Sequence, residues 1–374
     1  MNSLPKRLFF HALFLTISLC LGALGAELTL RVRTESGLRG AVGSFSDLEA
    51  PTASEREDLP LIADPVLSFR YNPKVDDVNS LGLRNPEIEL EKPLGKKRIV
   101  ILGDSVTVLT YGEPNTPEGL IAQLRNRIGE RGEVINGAVS GYTIYQQRLM
   151  LEHELLRFKP DIVVVQHTLN DNQEFLHRYD ESARLLLTEE ARRAYAIQGD
   201  GPLDWLAQHS YLALRVRVVW MALQKSDEKY PWDRYPGFPK SWRDESWEFV
   251  AEQLGVIRDL SDSVGARVVV LSVPFGPQYE QPLLSQERAY VTKPQRKMRH
   301  VCNELGIPLI DLFPLFEPEG GAELFYDFVH MVPEGHQLAA ESLARNLEEL
   351  GWLDATSSDA VSASESPAAI KPVG

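Results

Sequence analysis

Cysteine is scarce in this sequence, since only Cys20 and Cys302 occur among 374 residues. A disulfide-stabilised fold needs several cysteines, and a cysteine-based zinc site needs them at short, regular spacing. Cys20 also lies inside an N-terminal apolar segment, which leaves one thiol for the rest of the chain. We therefore expect no internal disulfide. We also expect no metal site, because no cluster of Cys and His has the spacing of zinc ligands.

Positive charge is also scarce. The chain has 39 Lys and Arg residues against 53 Asp and Glu residues, and its formal net charge is -14. A protein that binds nucleic acid neutralises phosphates with many Lys and Arg side chains. The charge balance therefore predicts that nucleic acid is not a partner.

Long apolar runs are absent apart from residues 8–26, which follow Lys6 and Arg7. The run is longer than the core of a usual signal peptide and about the minimum for a spanning helix. Residues 23–25 (Ala-Leu-Gly) form an acceptable cleavage site. We interpret residues 1–26 as a signal peptide or a membrane anchor. The protein is then expected to be anchored facing the periplasm or cell exterior, or to be secreted.

Apolar runs and helical patterns alternate from residue 96 onward. Five short apolar runs predict strands, at residues 97–103, 133–141, 161–171, 266–274 and 307–312. Apolar positions at helical spacing predict helices at residues 116–129, 143–160, 295–306 and 333–350. This alternation predicts an α/β fold with a parallel, doubly wound sheet covered on both faces.

Three stretches do not follow the alternation. Residues 27–95 contain several prolines without clear periodicity, and we interpret them as a stalk and a wrapping segment. Residues 172–246 are predicted to be a largely helical insertion, either a cap over the site or a separate packing cluster. Residues 355–374 are small and polar, which predicts a disordered tail. The regular α/β unit is therefore expected over residues 96–354.

Polar residues follow several of the predicted strands. Ser105 follows the first strand, Gly141 the second and Asn170 the third, while Asp327 and His330 precede the last helix. In an open parallel sheet, ligands bind beyond the carboxyl ends of the strands. We therefore expect these residues, which are far apart in the sequence, to meet at one edge of the sheet.

The chemistry of these residues is complementary. A serine hydroxyl is a weak nucleophile that needs a neighbouring base, and His330 is a candidate base for Ser105. Asp327 precedes His330 by three residues and is expected to orient its ring. The oxyanion formed by attack on a carbonyl needs preorganised donors, and the candidates are the N–H groups of Ser105 and Gly141 and the side-chain amide of Asn170.

Four short motifs occur in a fixed order: GDS (103–105), NGAVSGY (136–142), LND (169–171) and DFVH (327–330). Together they resemble the four sequence blocks of the GDSL, or SGNH, hydrolase family. The resemblance extends over roughly residues 96–350. GDS or the DxxH spacing alone is a weak signal, whereas all four in order are specific.

The resemblance implies a flavodoxin-like, three-layer α/β/α sandwich with a five-stranded parallel sheet. It implies that Ser105 is the nucleophile, that His330 and Asp327 complete a triad, and that Gly141 and Asn170 hold the oxyanion. Activities of the family include esterase, lipase, thioesterase and carbohydrate deacetylase reactions, without a metal or another cofactor. The segment before the first strand resembles that of membrane-anchored bacterial members.

The main hypothesis is a serine ester hydrolase that forms an acyl-enzyme on a small-molecule or glycan ester, with a membrane contact through its N-terminal segment. One alternative is an O-acetyltransferase that modifies extracellular polysaccharide with the same residues. A second is a non-catalytic, glycan-binding scaffold with the same fold. The sequence indicates no particular oligomeric state.

Overall fold

A computed structural model of the protein describes residues 18, 21–29, 60–174, 178–179, 185–186, 212–213, 230–234 and 238–354. Most of the predicted N-terminal segment 1–26 and most of the insertion 172–246 lie outside the described residues. The whole of the predicted tail 355–374 also lies outside them. The interpretations of these three segments stay predictions.

A five-stranded sheet forms the centre of the fold. From one edge to the other, its strands are Leu309–Asp311, Arg267–Ser272, Ile162–His167, Lys97–Leu102 and Gly132–Asn136, and every neighbouring pair is parallel. In order along the chain, the first strand of this sheet lies between the second and the third, which is the flavodoxin-like order. The predicted fold class is confirmed. The strands of the described residues are β1 (Leu61–Asp64), β2 (Ser68–Tyr71), β3 (Lys97–Leu102), β4 (Leu109–Thr110), β5 (Glu113–Pro114), β6 (Gly132–Asn136), β7 (Ile162–His167), β8 (Arg178–Tyr179), β9 (Leu185–Leu186), β10 (Arg267–Ser272) and β11 (Leu309–Asp311).

Helices connect these strands. A helical stretch also covers residues 21–29 near the N-terminus. Short 3₁₀ turns lie at Gly129–Arg131, Leu156–Phe158, Pro231–Arg234, Phe238–Trp242, Gly276–Tyr279 and Gly321–Leu324. The α-helices are α1 (Ser105–Val108), α2 (Leu120–Ile128), α3 (Ile144–Met150), α4 (Glu245–Ser263), α5 (Leu283–Val291), α6 (Lys293–Leu305), α7 (Phe313–Phe316) and α8 (Pro333–Glu349).

The sheet is buried on both faces. In β3, Ile99 and Ile101 belong to one apolar core, while Val100 and Leu102 belong to the core on the opposite face. Side chains of α2 and α8 fill the first core, and side chains of α3, α4 and α6 fill the second. Because both faces must be apolar, the strands have continuous rather than alternating hydrophobicity, and this made them recognisable in the sequence.

The helix predicted over residues 143–160 differs from the observed structure. The α-helix ends at Met150, a π-helical turn follows at Leu151–Leu155, and a 3₁₀ turn closes the segment at Leu156–Phe158. Lys159 then takes a left-handed backbone conformation, with φ +49°. Apolar spacing alone does not distinguish these tighter and wider turns from a regular helix.

Residues 60–95 pack against the second core. Strands β1 and β2 form an antiparallel hairpin, from which Leu67, Phe69 and Tyr71 are buried among the residues of α3. The Tyr142 hydroxyl donates to the Phe69 carbonyl at 2.6 Å, and Gln146 Nε2 donates to the Leu67 carbonyl at 2.8 Å. The segment before the first strand of the sheet therefore fixes the chain that follows β6.

Within the part of the chain that the structure describes, no helix combines the length and the apolar character required to cross a membrane.

His336 is a buried titratable group in the first turn of α8. Its Nε2 donates to the Leu109 carbonyl at 3.0 Å. Burial lowers the pKa of His336 to about 4 against the opposing effect of this carbonyl, so the folded protein holds a neutral ring at neutral pH. Below about pH 6.5 the unfolded chain binds a proton that the folded chain does not.

We predict that the free energy of unfolding falls as the pH decreases from about 6.5 to 4, by up to about 3 kcal/mol from this histidine. His336→Gln keeps a donor for the Leu109 carbonyl but cannot titrate, so its unfolding free energy should depend less on pH. Urea unfolding between pH 7 and pH 4 measures both slopes. The exposed His300→Gln is the control, and an unchanged slope in His336→Gln would contradict the prediction.

Candidate active site

Ser105 lies at the carboxyl end of the central strand β3. The strand is buried throughout and ends at Leu102, and Ser105 begins the four-residue helix α1. Asp104 is the N-cap of this helix, and its Oδ1 accepts a hydrogen bond from the Val106 N–H at 2.9 Å. A short helix capped in this way holds the serine hydroxyl at the edge of the sheet rather than in its core.

The turn before Ser105 requires glycine at position 103. A Cβ at this position would lie 2.3 Å from Thr107 Oγ1 and 2.8 Å from Gln166 Oε1. These two atoms are themselves hydrogen-bonded at 2.8 Å, and both residues are buried. Gly103 therefore allows α1 to pack directly against the end of β7.

His330 and Asp327 approach Ser105 from the loop before α8. His330 Nε2 lies 2.9 Å from Ser105 Oγ, and His330 Nδ1 lies 2.7 Å from Asp327 Oδ2. The carboxylate thus holds the ring nitrogen that faces away from the serine. The arrangement leaves Nε2 in position to accept the serine proton.

Asp327 is held by more than the histidine ring. Its Oδ1 accepts hydrogen bonds from the N–H groups of Val329 at 2.8 Å and His330 at 2.7 Å. Burial by itself would raise the pKa of Asp327. The hydrogen bonds from the His330 ring and from the two backbone groups outweigh burial and lower that pKa below its usual range. The carboxylate is therefore ionised at neutral pH and able to stabilise an imidazolium.

Asn170 lies in the loop after β7 and is buried. Its Nδ2 donates to Asp104 Oδ2 at 3.3 Å, so the same aspartate contacts both helix α1 and this loop. Asp171, also buried, accepts from the Thr168 N–H at 2.9 Å and from Gln147 Nε2 at 3.2 Å. Burial raises the pKa of Asp104. It raises the pKa of Asp171 well above its usual range, with a further contribution from the charge of Asp104.

Gly141 lies in the loop after β6, with φ +84°. This left-handed conformation is costly for any residue with a Cβ. The preceding residue is fixed by the N-terminal hairpin, because the Ser140 N–H donates to the Tyr71 hydroxyl at 2.9 Å. The Val139 N–H donates to the Gly103 carbonyl at 3.3 Å, which ties this loop to the turn before Ser105.

Three groups at this edge of the sheet have N–H hydrogens that are not hydrogen-bonded within the described residues. Among the described residues, neither the Ser105 N–H nor the Gly141 N–H donates a hydrogen bond. The Asn170 amide has two N–H groups, of which the contact to Asp104 uses one. Buried polar groups are normally hydrogen-bonded, so donors left unpaired beside the Ser105 hydroxyl are available to a ligand atom that carries negative charge.

The structure thus places the five residues singled out in the sequence at the carboxyl ends of the sheet strands and in the loop before α8. Direct contacts join Ser105, His330 and Asp327, and Asn170 is linked to the turn before Ser105 through Asp104. Gly141 has no side chain, and it joins this group through the backbone of its loop.

Tyr71 is a residue of the site that the sequence did not reveal. It lies in the segment interpreted as a stalk and wrapping segment, where no periodicity or motif marked it. Asn85, from the same segment, is also buried, and its side chain contacts both the N–H and the carbonyl of Asn136 at the end of β6. Only the folded chain shows that these residues hold the loop that contains Gly141.

The described tryptophans of the insertion region lie in the core. Trp232 and Trp242 stack with their ring centroids 4.1 Å apart, and both are buried. Trp247 is also buried, against His167. These three rings are therefore packing residues, while Trp205 and Trp220 lie outside the described residues.

Comparison with known proteins identifies a family and several similar folds. The family model for GDSL-like lipases and acylhydrolases matches residues 101–338. No curated protein matches the chain.

Similar solved structures include a lipase/acylhydrolase from Enterococcus faecalis, at 16% identity, 68% coverage of this chain, 96% of that chain and a TM-score of 0.39. An acetyl xylan esterase is 15% identical, with a TM-score of 0.40, and the match covers 67% of this chain and 99% of that chain. A variant of an acetylxylan esterase from Geobacillus stearothermophilus is 14% identical, with a TM-score of 0.40, and the match covers 71% of this chain and 100% of that chain.

We predict that Tyr71→Phe lowers kcat for a small ester on the order of tenfold, with a smaller effect on KM. The substitution removes the oxygen that accepts from the Ser140 N–H, which frees the adjacent Gly141 to shift. The free energy of unfolding should fall by about 1–2 kcal/mol. Steady-state kinetics on phenyl acetate and urea unfolding provide the two measurements.

The matched control is Tyr279→Phe, which removes a buried hydroxyl that donates to the Phe313 carbonyl at 3.0 Å. It should lose similar stability and keep kcat. Equal loss of kcat in both variants would show that Tyr71 acts only through overall stability.

Proposed function

The chain belongs to the GDSL-like lipase/acylhydrolase family and is an ester-hydrolysing enzyme, and we propose that it acts by an acyl-enzyme mechanism with Ser105 as nucleophile. The family establishes the class of reaction. The proposal adds the residues, the intermediate and the order of the proton transfers.

One observation carries the proposal. Ser105 Oγ, the His330 ring and Asp327 form a continuous hydrogen-bonded chain, with contacts of 2.9 Å and 2.7 Å, at the edge of the sheet where three donors remain available. A serine that only capped a helix would have no use for a histidine oriented by a carboxylate. A non-catalytic scaffold would likewise have no use for it.

Acylation begins when Ser105 Oγ attacks the carbonyl carbon of the ester. His330 Nε2 takes the hydroxyl proton as the new C–O bond forms, and Asp327 stabilises the resulting imidazolium. The tetrahedral intermediate then collapses. Its bond to the alcohol oxygen breaks, His330 returns the proton to that oxygen, and the acyl group stays on Ser105.

The oxyanion of the intermediate is held by the N–H groups of Ser105 and Gly141 and by the Asn170 amide. These donors are fixed before substrate binds, because Asp104 restrains Asn170 and the hairpin residue Tyr71 restrains the chain next to Gly141. Donors that do not have to reorient stabilise the transition state more than they stabilise the ground state.

Deacylation repeats these steps with water. His330 takes a proton from the water as its oxygen attacks the acyl carbon, and the Ser105 oxygen leaves and takes the proton back. The carboxylic acid is released and the enzyme returns to its starting state.

We predict that Ser105→Ala lowers kcat for phenyl acetate by at least about 10⁴-fold and leaves the unfolding transition in place. A fluorophosphonate probe should label the wild-type protein on the peptide that contains Ser105 and should fail to label the variant. Ser263→Ala, at an exposed serine in α4, is the control that should keep both activity and labelling. Retained turnover in Ser105→Ala would refute the assignment.

We predict that Asn170→Ala lowers kcat by about 10²–10³-fold, equivalent to about 3 kcal/mol of transition-state stabilisation, with little change in KM. The Asn170 amide is expected to bind the oxyanion more strongly than the neutral carbonyl. Asn346→Ala removes an amide that is bonded only within α8, and it serves as the control for loss of an asparagine side chain. A change confined to KM would assign Asn170 to ground-state binding instead.

A further inference from the structure

A tight hairpin between α1 and α2 presents an aromatic side chain at its tip. Strands β4 and β5 pair antiparallel, and Tyr111 and Gly112 are the two residues that join them. Both have positive φ, +50° and +81°, as in a type I′ turn. Asparagine, aspartate or glycine normally occupies the first position of such a turn, because a bulky side chain disfavours a left-handed backbone.

Burial of the side chain does not offset the cost of the left-handed backbone at Tyr111, since 59% of its surface is exposed. Its ring lies 5.5 Å from the ring of Tyr326, and Tyr326 in turn stacks on the His330 ring at 5.7 Å with an interplanar angle of 17°. A row of three rings therefore leads from solvent to the histidine of the site. Residues held in sparsely populated backbone conformations cluster at functional sites.

A cavity of about 420 Å³ lies next to the base of the same hairpin, and its lining combines polar side chains with apolar ones such as Val108 and Ile121. Its walls include Asp77, Arg84, Asn115 and Thr116, which offer both donors and acceptors. A sugar has hydroxyl edges and an apolar C–H face, so it can contact both parts of this lining. An acyl chain would exclude water from the polar side chains without forming hydrogen bonds to them, and a carboxylate would be repelled by Asp77.

We propose that Tyr111 is a stacking platform for a sugar ring, and that the alcohol part of the ester substrate is a saccharide. The inference rests on the proposed function and adds the substrate class. A sugar ring has an apolar C–H face that matches an exposed aromatic ring, and hydroxyl edges that match the polar side chains of the cavity. The platform would hold the saccharide beside His330, which protonates the leaving alcohol.

The test compares two acetate esters, a mono-acetylated methyl glucoside and ethyl acetate, in the wild type and in Tyr111→Asn. Asparagine tolerates positive φ, so the turn is retained while the ring is lost. The ratio of kcat/KM for the sugar ester to kcat/KM for ethyl acetate should fall by about threefold to tenfold, mainly through KM for the sugar ester. Tyr111→Phe, which keeps the ring, should restore most of the ratio.

Leu94→Asn is the matched control, because it also replaces an exposed apolar side chain but lies before the amino end of β3, at the opposite edge of the sheet. It should leave the ratio at the wild-type value. If Tyr111→Asn and the wild type have the same ratio of kcat/KM for the sugar ester to kcat/KM for ethyl acetate, Tyr111 is not a stacking platform for the sugar. Preference of the wild type for ethyl octanoate over the sugar ester would overturn the substrate class. If the wild type hydrolyses none of these esters, the proposed function fails as well.

Discussion

The contact between His330 Nε2 and Ser105 Oγ is the interaction on which the site depends. It joins residues that are 225 positions apart, at a distance of 2.9 Å. The parallel sheet makes this possible, because β3 delivers Ser105 to the edge where the loop before α8 returns. Two apolar cores stabilise that sheet on both faces, so the distance between the Ser105 hydroxyl and the His330 ring depends on hydrophobic packing in the interior of the fold.

A network of buried polar side chains fixes the loops at this edge of the sheet. Asp104 contacts both helix α1 and Asn170, and Asp171 contacts Thr168 and Gln147. Buried carboxyl groups are expensive unless they are hydrogen-bonded, and here each one joins two segments of chain. The network lowers the free energy of unfolding, but it fixes the hydrogen-bond donors in place. Stabilisation of an oxyanion requires such preorganised donors.

The sequence predicted much of this architecture because the physical signals were local. Continuous apolar runs marked strands that are buried on both faces, and the spacing of Asp327 and His330 placed a carboxylate next to an imidazole. Tyr71 gave no such signal, since it contacts Ser140 only after the N-terminal hairpin packs beside β6. Tyr111 was missed for another reason: a tyrosine at the first position of a two-residue turn contradicts the usual Asn-Gly pattern, so the hairpin was not recognised.

The central claim is that Ser105 carries the acyl group between two half-reactions. The measurement that tests it most directly is the partition of products when the enzyme turns over acetates of several alcohols in water containing methanol. A common acyl-enzyme gives the same ratio of methyl acetate to acetate whichever alcohol has left, and this constant ratio is the expected result. A ratio that varies with the leaving alcohol would contradict the account, because water would then attack the bound ester directly.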